Sequence, residues 1–368
     1  MLWRYIENDS VSASCGLATD EYLVDTHIPA RSDYGHGCIL RLYTYRDHCV
    51  VLGRFQDAES EVDLLECKKL GVEVNRRITG GGTIIMGRSQ LGVAIIIPPG
   101  GANGSRGNNV PFQTRKVFED YARGIIEALS LLGIQSEFRP KNDVLVRGKK
   151  IAGLAACVQE NGNALFHASI LLDIDTRLMA SVLKIPFEKI SDKEITEVDD
   201  RLTTVNRESK EKVTIDRLKR LLKTGFENAF QMKLHNEPLA DFEIMGIKTL
   251  ERKRYLTDEW IYQKSLISSE TTAVRKKTKA GMINVNMIVM NNVIKDIIIT
   301  GDFFSTTEFI STLERRLKWK AIDREVIAKA IKGTWSFSQD SISELNPEVL
   351  IDCILEAGNK VLPSSTRI

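Results

Sequence analysis

Residues 76–82 read Arg-Arg-Ile-Thr-Gly-Gly-Gly, and Thr83 and two isoleucines follow them. Glycine has no Cβ atom, so its backbone approaches a ligand closely, and successive N–H groups in such a turn form a concave nest for phosphate or carboxylate oxygens. Arginine adds a fixed positive charge and paired donors. The alternative interpretation is an ordinary glycine-rich turn beside two solvated arginines. The composition of the run favours an anion-binding loop.

The segments around this loop predict a mixed α/β sheet that carries it. Residues 72–75 form the strand that leads into the loop. Before it we predict a helix over 11–26, strands over 38–45 and 48–52, and a helix that Ser60 caps and Gly71 ends. After it we predict a strand over 91–98, a loop over 100–109, a helix over 112–132, and strands over 143–146, 150–156 and 164–172.

The rest of the chain predicts a second, smaller α+β unit. Residues 190–212 are densely charged and indicate a surface excursion or a mobile loop; a helix follows over 214–230, and residues 234–254 look irregular. Beyond them we predict strands over 274–279, 282–290 and 293–300, with a hairpin turn at Asn291-Asn292, and helices over 305–317, 324–331 and 341–356. We therefore place one domain at 1–250 and another at 251–368.

Composition excludes several classes of protein. The 368 residues contain 51 Lys and Arg against 49 Asp and Glu, so no overall charge attracts nucleic acid or a membrane surface. The six cysteines are scattered without a CxxC pair, which argues against a zinc site or a disulfide framework. The N-terminus lacks the apolar core of a signal peptide, and no apolar stretch is long enough to cross a bilayer. We predict a cytoplasmic protein.

A second group of candidate residues lies between Lys141 and Gly153. Asp143 and Lys150 stand on neighbouring predicted strands, where both side chains can face one cavity. A lysine ammonium neutralises a phosphate or an acyl oxygen, and an aspartate binds Mg²⁺ beside phosphates. An ordinary charged hairpin is the alternative.

In their order along the chain, these clusters resemble the lipoate–protein ligase family. The resemblance covers most of the chain, and five short motifs in order carry it. They are Val50-Val51-Leu52-Gly53-Arg54-Phe55-Gln56, Arg76-Arg77-Ile78-Thr79-Gly80-Gly81-Gly82-Thr83, Asn142-Asp143-Val144-Leu145, Lys149-Lys150-Ile151-Ala152-Gly153 and Phe166-His167-Ala168-Ser169-Ile170-Leu171-Leu172. The region from Trp260 to the end is similar to the accessory domain of the two-domain ligases. The resemblance implies a biotin/lipoate ligase-like catalytic domain plus this accessory domain.

The resemblance implies a two-step acyl transfer. Lipoate or a related acid such as octanoate reacts with ATP and Mg²⁺ to give acyl-AMP, and a lysine of a lipoyl carrier protein then takes the acyl group. Lys150 would be catalytic, and Asp143 would lie near the nucleotide and the Mg²⁺ ion. The residues expected to bind the substrate or the adenylate are Arg76, Arg77, Thr79, Gly80, Gly81, Gly82, Thr83, Asn142, Asp143, Gly153, Leu154, Ala155 and His167. The accessory domain would close over the site and swing aside for the carrier.

Two departures from the family pattern leave other interpretations open. Met86-Gly87 stands where the family usually has His-Asp, and Leu154 stands where a serine often follows the lysine motif. Related octanoyltransferases work without ATP, through a cysteine thioester or a lysine-assisted transfer, and Cys157 is the cysteine to consider for the first route. A non-catalytic paralogue that binds carrier domains is the third hypothesis. The basic run 275–279 is a solvated edge strand or a docking surface for an acidic carrier domain.

Overall fold

The structure is a computed structural model that describes residues 2–27, 37–99, 114–184, 200–263, 270–335 and 345–360. The loop predicted over 100–109, residues 190–199 of the charged stretch, and the start of the last predicted helix at 341–344 lie outside the described residues. No helix in these ranges is long and apolar enough to cross a membrane.

The first part of the chain builds one large mixed sheet and one small sheet. The strands are β1 (Leu2–Val11), β2 (Ile39–Tyr45), β3 (Cys49–Leu52), β4 (Glu73–Arg76), β5 (Ile84–Met86), β6 (Gln90–Ile97), β7 (Glu137–Arg139), β8 (Asp143–Val146), β9 (Lys149–Val158), β10 (Ala164–Leu171) and β11 (Lys233–Asn236). The large sheet has the order β11-β1-β2-β6-β10-β9-β8-β7, and β4-β3-β5 form the small one. β1 runs parallel to β2 and β11, and the other neighbours in the large sheet are antiparallel. The predicted mixed α/β fold is confirmed.

Helices cover both faces of the large sheet. In chain order they are α1 (Ala13–Thr26), α2 (Ala58–Glu61), α3 (Leu64–Leu70), α4 (Thr114–Ser130), α5 (Thr176–Val182), α6 (Val205–Glu208), α7 (Ile215–Phe230), α8 (Asp241–Leu250) and α9 (Asp258–Tyr262), with a π-helical turn at Glu251–Tyr255 between the last two. α4 and α7 pack on one face through a cluster that includes Phe118, Phe166 and Phe226. α1 and the small sheet pack on the other face around Tyr43 and Met86. The gap between the two sheets holds the candidate site.

Two local predictions in this part are wrong, and some elements were not predicted. The helix expected to begin at Ser60 is two short helices, and Asp63 caps the second one by accepting a hydrogen bond from the Glu66 N–H. β1 was not predicted, although it pairs with β2 along most of its length. Residues 234–254 are not irregular: β11 pairs with β1, and α8 packs so closely on α1 that a Cβ on Gly246 would meet the Tyr22 ring at 2.2 Å.

The C-terminal part contains the predicted α+β elements. β12 (Thr271–Lys277), β13 (Met282–Met290) and β14 (Val293–Gly301) form an antiparallel sheet. Asn291 and Asn292 both have positive φ values, 50° and 60°, as a two-residue hairpin of the primed type requires. The helices α10 (Thr307–Leu317), α11 (Arg324–Trp335) and α12 (Pro347–Asn359) contribute to its hydrophobic cluster. The domain boundary near residue 250 stays a prediction.

Aromatic contacts join the C-terminal part of the chain to the region around the glycine loop. Phe303 stacks on Phe55 with ring centroids 5.1 Å apart, and Phe304 meets Phe118 edge to face at 5.3 Å. The backbone N–H of Gly301 donates to the carbonyl of Phe55 at 2.8 Å. A Cβ on Gly80 would lie 2.5 Å from the Phe303 carbonyl oxygen, so the residues that follow β14 also lie directly against the loop.

Candidate active site

Lys150 reaches the gap between the sheets because a β-bulge turns its side chain. The register between β8 and β9 shifts by one residue between Val144 and Leu145, which leaves Ile151 without a partner on β8. In a regular strand, residues three apart point to opposite faces, and one extra residue reverses this relation. Lys150 and Gly153 therefore lie on the same face of β9.

The ammonium group of Lys150 lies over Gly153 and beside Asp143. Its Nζ atom is 2.7 Å from Asp143 Oδ1, and both side chains are about one-third exposed. A Cβ atom built on Gly153 would lie 2.8 Å from Lys150 Cε, so the glycine makes room for the lysine. A partly exposed ammonium held by one carboxylate is placed to bind a second anionic group.

Arg77 holds the glycine loop from within the protein. Its guanidinium donates to Thr79 Oγ1 at 3.1 Å, to the Val51 carbonyl at 3.0 Å, and to the Gly80 and Gly82 carbonyls at 2.8 Å each. Burial lowers the pKa of Arg77 to about 10, so the group remains charged at neutral pH. The loop therefore surrounds a fixed positive charge.

The backbone amides of the loop are further candidate donors. Among the residues that the structure describes, the backbone N–H groups of Gly80, Gly81 and Gly82 donate no hydrogen bond. Gly81 has a φ of 93°, and a Cβ on Gly82 would meet no atom within 4 Å. Arg77 binds the carbonyls of this turn, and successive amides in such a turn can form a donor nest for anion oxygens.

A cavity of about 110 Å³ lies between the two sheets, and most of the predicted residues line it. Those that do are Arg77, Gly82, Thr83, Asn142, Lys150, Gly153, Leu154, Ala155 and His167. Residues of α1, β2, β3, β5 and β10 complete the lining, namely Leu17, Tyr43, Tyr45, Val51, Ile84, Met86, Ala168 and Ser169. The remaining predicted residues, apart from Arg76, contact or adjoin residues of the lining. Thr79 and Gly80 accept hydrogen bonds from Arg77, Gly81 precedes Gly82, and Asp143 pairs with Lys150.

Arg76 has a different environment from Arg77. Its side chain is fully buried, and Nε donates to the carbonyls of Trp260 and Ile261 at 3.1 and 3.0 Å. Nη1 donates to three carbonyls at residues 53–56. Burial lowers the pKa of Arg76 to about 9. Arg76 therefore anchors α9 to the small sheet, and its predicted contact with a ligand stays a prediction.

His167 is held at the cavity by a buried network that sequence reasoning missed. Its Nε2 atom is 2.8 Å from Asp20 Oδ2, and its Nδ1 is 3.4 Å from Thr79 Oγ1. Asp20 also pairs with Arg41 at 2.5 Å, and neither side chain is more than 1% exposed. Burial alone would raise the pKa of Asp20, but Arg41 and His167 outweigh it and lower that pKa. A charged residue on each of two apolar elements, α1 and β2, was the available signal.

No cysteine lines the cavity, although all six lie in described parts of the chain. Cys157 stands on β9 opposite Leu165, and burial raises the pKa of its thiol. A neutral thiol is a poor nucleophile. These positions give no support to catalysis through a cysteine thioester.

The side chains of the described residues provide few ligands for a metal ion. They contain no group of three or more His, Cys, Asp or Glu side chains arranged to hold one. Asp143 is the carboxylate next to Lys150, and Mg²⁺ is often bound by one or two carboxylates together with substrate phosphates. The site fits Mg²⁺ only in company with a nucleotide.

Comparison with known proteins identifies the family. The model for the lipoyl protein ligase A/B catalytic domain matches residues 13–227, and the model for the bacterial lipoate protein ligase C-terminus matches residues 271–354. Octanoyltransferase LipM of Anoxybacillus flavithermus is 25% identical over 286 residues, which are 72% of this chain and 99% of the relative. Lipoate-protein ligase LplJ of Bacillus subtilis is 25% identical over 331 residues, which are 89% of this chain and 93% of the relative.

A solved structure agrees with these matches. It is described as a bi-partite lipoate protein ligase and its E2 lipoyl domain from Thermoplasma acidophilum. It superposes with a TM-score of 0.63 at 27% identity and covers 73% of this chain and 100% of its own. The resemblance read from the sequence is thereby confirmed. Because the catalytic-domain model alone spans more than half of the residues, this chain belongs to the lipoyl protein ligase A/B family and carries the C-terminal domain of the bacterial lipoate protein ligases.

Proposed function

We propose that this protein is an ATP-dependent ligase that activates lipoate, or a related acid such as octanoate, and transfers it to a lysine of a lipoyl carrier domain. The observation that carries the proposal is the position of Lys150, whose ammonium lies at a largely apolar cavity close to a loop of free amides. Such a site suits an apolar acid whose carboxylate meets a phosphate group. No cysteine lines the cavity, so no thiol there would carry the acyl group as a thioester.

The small C-terminal domain supports the ligase over the transferase. The similarity to LplJ extends over 89% of this chain, whereas the similarity to LipM of Anoxybacillus flavithermus covers 72%. The C-terminal model that matches residues 271–354 is described as belonging to bacterial lipoate protein ligases. The intact set of Arg77, Asp143 and Lys150 also speaks against a non-catalytic paralogue.

The proposed reaction has two steps. A carboxylate oxygen of the acid attacks the α-phosphorus of ATP, the bond to pyrophosphate breaks, and acyl-AMP forms. The amine of the carrier lysine then attacks the acyl carbon, AMP leaves with the bonding electrons, and the amine gives up a proton. Lys150 stabilises the negative charge that develops between phosphate and acyl oxygens, and the loop amides bind the phosphate. Mg²⁺, bound with the nucleotide near Asp143, would neutralise phosphate charge.

The LipM relatives favour a second candidate, an ATP-independent octanoyltransferase. In that reaction the acyl group arrives as a thioester, so neither ATP nor pyrophosphate takes part. Lys150 would assist a direct transfer between thioester and carrier lysine.

One experiment separates the two candidates. The purified protein is incubated with Mg-ATP and either lipoate or octanoate, without an acceptor, and acyl-AMP and pyrophosphate are measured by mass spectrometry. A parallel reaction contains an octanoyl thioester and a lipoyl domain without ATP. We expect acyl-AMP in the first reaction and no transfer in the second. The reverse result would establish the transferase and overturn the proposal.

The Gly153→Ala substitution tests the position of the lysine. The new Cβ would overlap Lys150 Cε and Nζ, at 2.8 and 2.9 Å, and displace the ammonium. We expect acyl-AMP formation to slow about 10- to 100-fold, because small misplacements of reacting groups cost rates of this order. The overlapping atoms belong to the flexible end of a side chain, so the denaturation midpoint should change little. An unchanged rate would show that the reaction does not depend on the position of the Lys150 ammonium over Gly153.

A further inference from the structure

A segment distant in sequence holds the backbone of Lys150. Leu202 forms a parallel bridge with Lys150, and the N–H of Thr203 donates to the Lys150 carbonyl at 2.9 Å. Thr203 is 2% exposed and Thr204 is fully buried, so water does not compete for this bond. The contact falls at the β-bulge, where the pairing of β9 with β8 changes register.

Glu208 connects this segment to the turn that precedes Lys150. One carboxylate oxygen accepts a hydrogen bond from Thr203 Oγ1 at 2.6 Å, and the other pairs with Arg147. The Glu208 side chain is 8% exposed, while that of Arg147 is 78% exposed. Arg147 has a φ of 51° in the turn between β8 and β9. The Glu208 carboxylate thus connects the turn between β8 and β9 with the segment that binds the Lys150 backbone.

We infer that Thr203 and Glu208 are positioning residues for Lys150. They hold the bulge in the geometry that keeps the ammonium on the cavity side of β9, above Gly153. Neither residue lines the cavity, and both contact the backbone beside Lys150 or the turn before it. The inference rests on the proposed role of Lys150 in acyl-AMP formation.

The Glu208→Ala substitution tests the inference against a matched control. We expect kcat for acyl-AMP formation to fall about 10- to 100-fold, with little change in the KM values for ATP and acid, because the substrate contacts remain and only the alignment is lost. Glu211→Ala is the control: it removes another glutamate that pairs with an arginine, Arg217 at 3.0 Å, but its side chain is 74% exposed. The control should keep the rate of the unmutated protein. An unchanged kcat in folded Glu208→Ala would overturn the inference.

A double-mutant cycle separates positioning from general damage to the fold. If Glu208 acts through Lys150, its removal has no further effect on the residual rate of Lys150→Ala, since the group it positions is gone. Thr203→Val, which loses the hydroxyl, should lower kcat, and Thr203→Ser should restore it. Rate losses that multiply in the Lys150→Ala, Glu208→Ala double variant would contradict the inference. If Glu208→Ala does not fold, the kcat values of Thr203→Val and Thr203→Ser test the inference instead.

A readout independent of activity completes the test. Lysines of the folded protein are acetylated briefly with a small amine-reactive reagent, and labelling of Lys150 relative to Lys149 is measured by peptide mass spectrometry. We expect a higher ratio in Glu208→Ala and Thr203→Val than in the unmutated protein and Glu211→Ala, because Lys150 leaves Asp143. Equal ratios in all four proteins would overturn the inference. If the unmutated protein makes no acyl-AMP, the proposed function fails, and the labelling ratios still decide whether these residues position Lys150.

Discussion

Replacement of Lys150 by alanine is expected to slow acyl-AMP formation about 10²–10³-fold, the usual cost of losing one group that stabilises transition-state charge. The substitution removes the ammonium that lies 2.7 Å from Asp143 at the cavity. The side chain is one-third exposed and has one carboxylate partner, so the fold should survive its removal. The rate is measured as pyrophosphate release with saturating ATP and acid.

Lys149→Ala is the matched control for this prediction. Lys149 is the preceding residue of β9, its side chain is 41% exposed, and it does not line the cavity. Its removal changes the net charge by the same amount but leaves the site intact. Equal losses in the two variants would mean that a general charge effect, rather than the position of Lys150, supports the reaction.

Replacement of Asp20 by alanine is expected to lower the free energy of unfolding by about 3–5 kcal/mol, because it leaves the buried Arg41 without its counter-ion. Arg41 is fully buried and pairs with Asp20 at 2.5 Å. His167 would lose its 2.8 Å contact as well, so activity should fall with stability. Chemical denaturation at pH 7 measures the effect. Asp47→Ala, in an ion pair whose side chains are 60% and 61% exposed, should change stability by less than about 0.5 kcal/mol.

The same pair predicts a dependence on pH with a definite sign. The folded pKa of Asp20 is lowered, so its contribution is fully present above the unfolded pKa of about 3.9 and is lost as the pH falls through the folded value. The stability difference between the unmutated protein and Asp20→Ala should therefore be constant near neutral pH and shrink only in acid below about pH 4. A difference that shrinks between pH 8 and 6 would contradict this prediction.

Local sequence signals predicted the parts of the fold that do not depend on distant partners. Asn291-Asn292 specified its hairpin because few other residues accept two successive positive φ values. The run of two arginines and three glycines at 76–82 predicted the loop because such a run is unusual in any fold. In contrast, α8 exposes Phe242 and Met245, at 71% and 70%, and buries only Glu243 and Ile247, so its sequence lacks the apolar stripe of a packed helix.

Features that depend on distant contacts could not be predicted. The bulge at Ile151 arises from a register shift between two strands, and residues 202–208 support it from fifty positions away. Charges on the apolar elements α1 and β2 are visible in the sequence, but Asp20 and Arg41 become a buried pair only when α1 packs on β2. Arg76 and Arg77 are adjacent in sequence, yet Arg76 binds carbonyls of α9 and Arg77 binds its own loop. Pattern alone does not distinguish them.

Phe303 and Phe304 of the C-terminal domain pack against one side of the glycine loop. A Cβ on Gly80 would lie 2.5 Å from the Phe303 carbonyl, and one on Gly81 would lie 3.5 Å from the Phe304 ring. Any ligand that shifts this loop must therefore change the free energy with which the C-terminal domain docks. By thermodynamic reciprocity, docking of that domain changes the affinity of the loop for the ligand by the same factor. Contact with Phe303 and Phe304 thus couples the position of the loop to the position of the C-terminal domain.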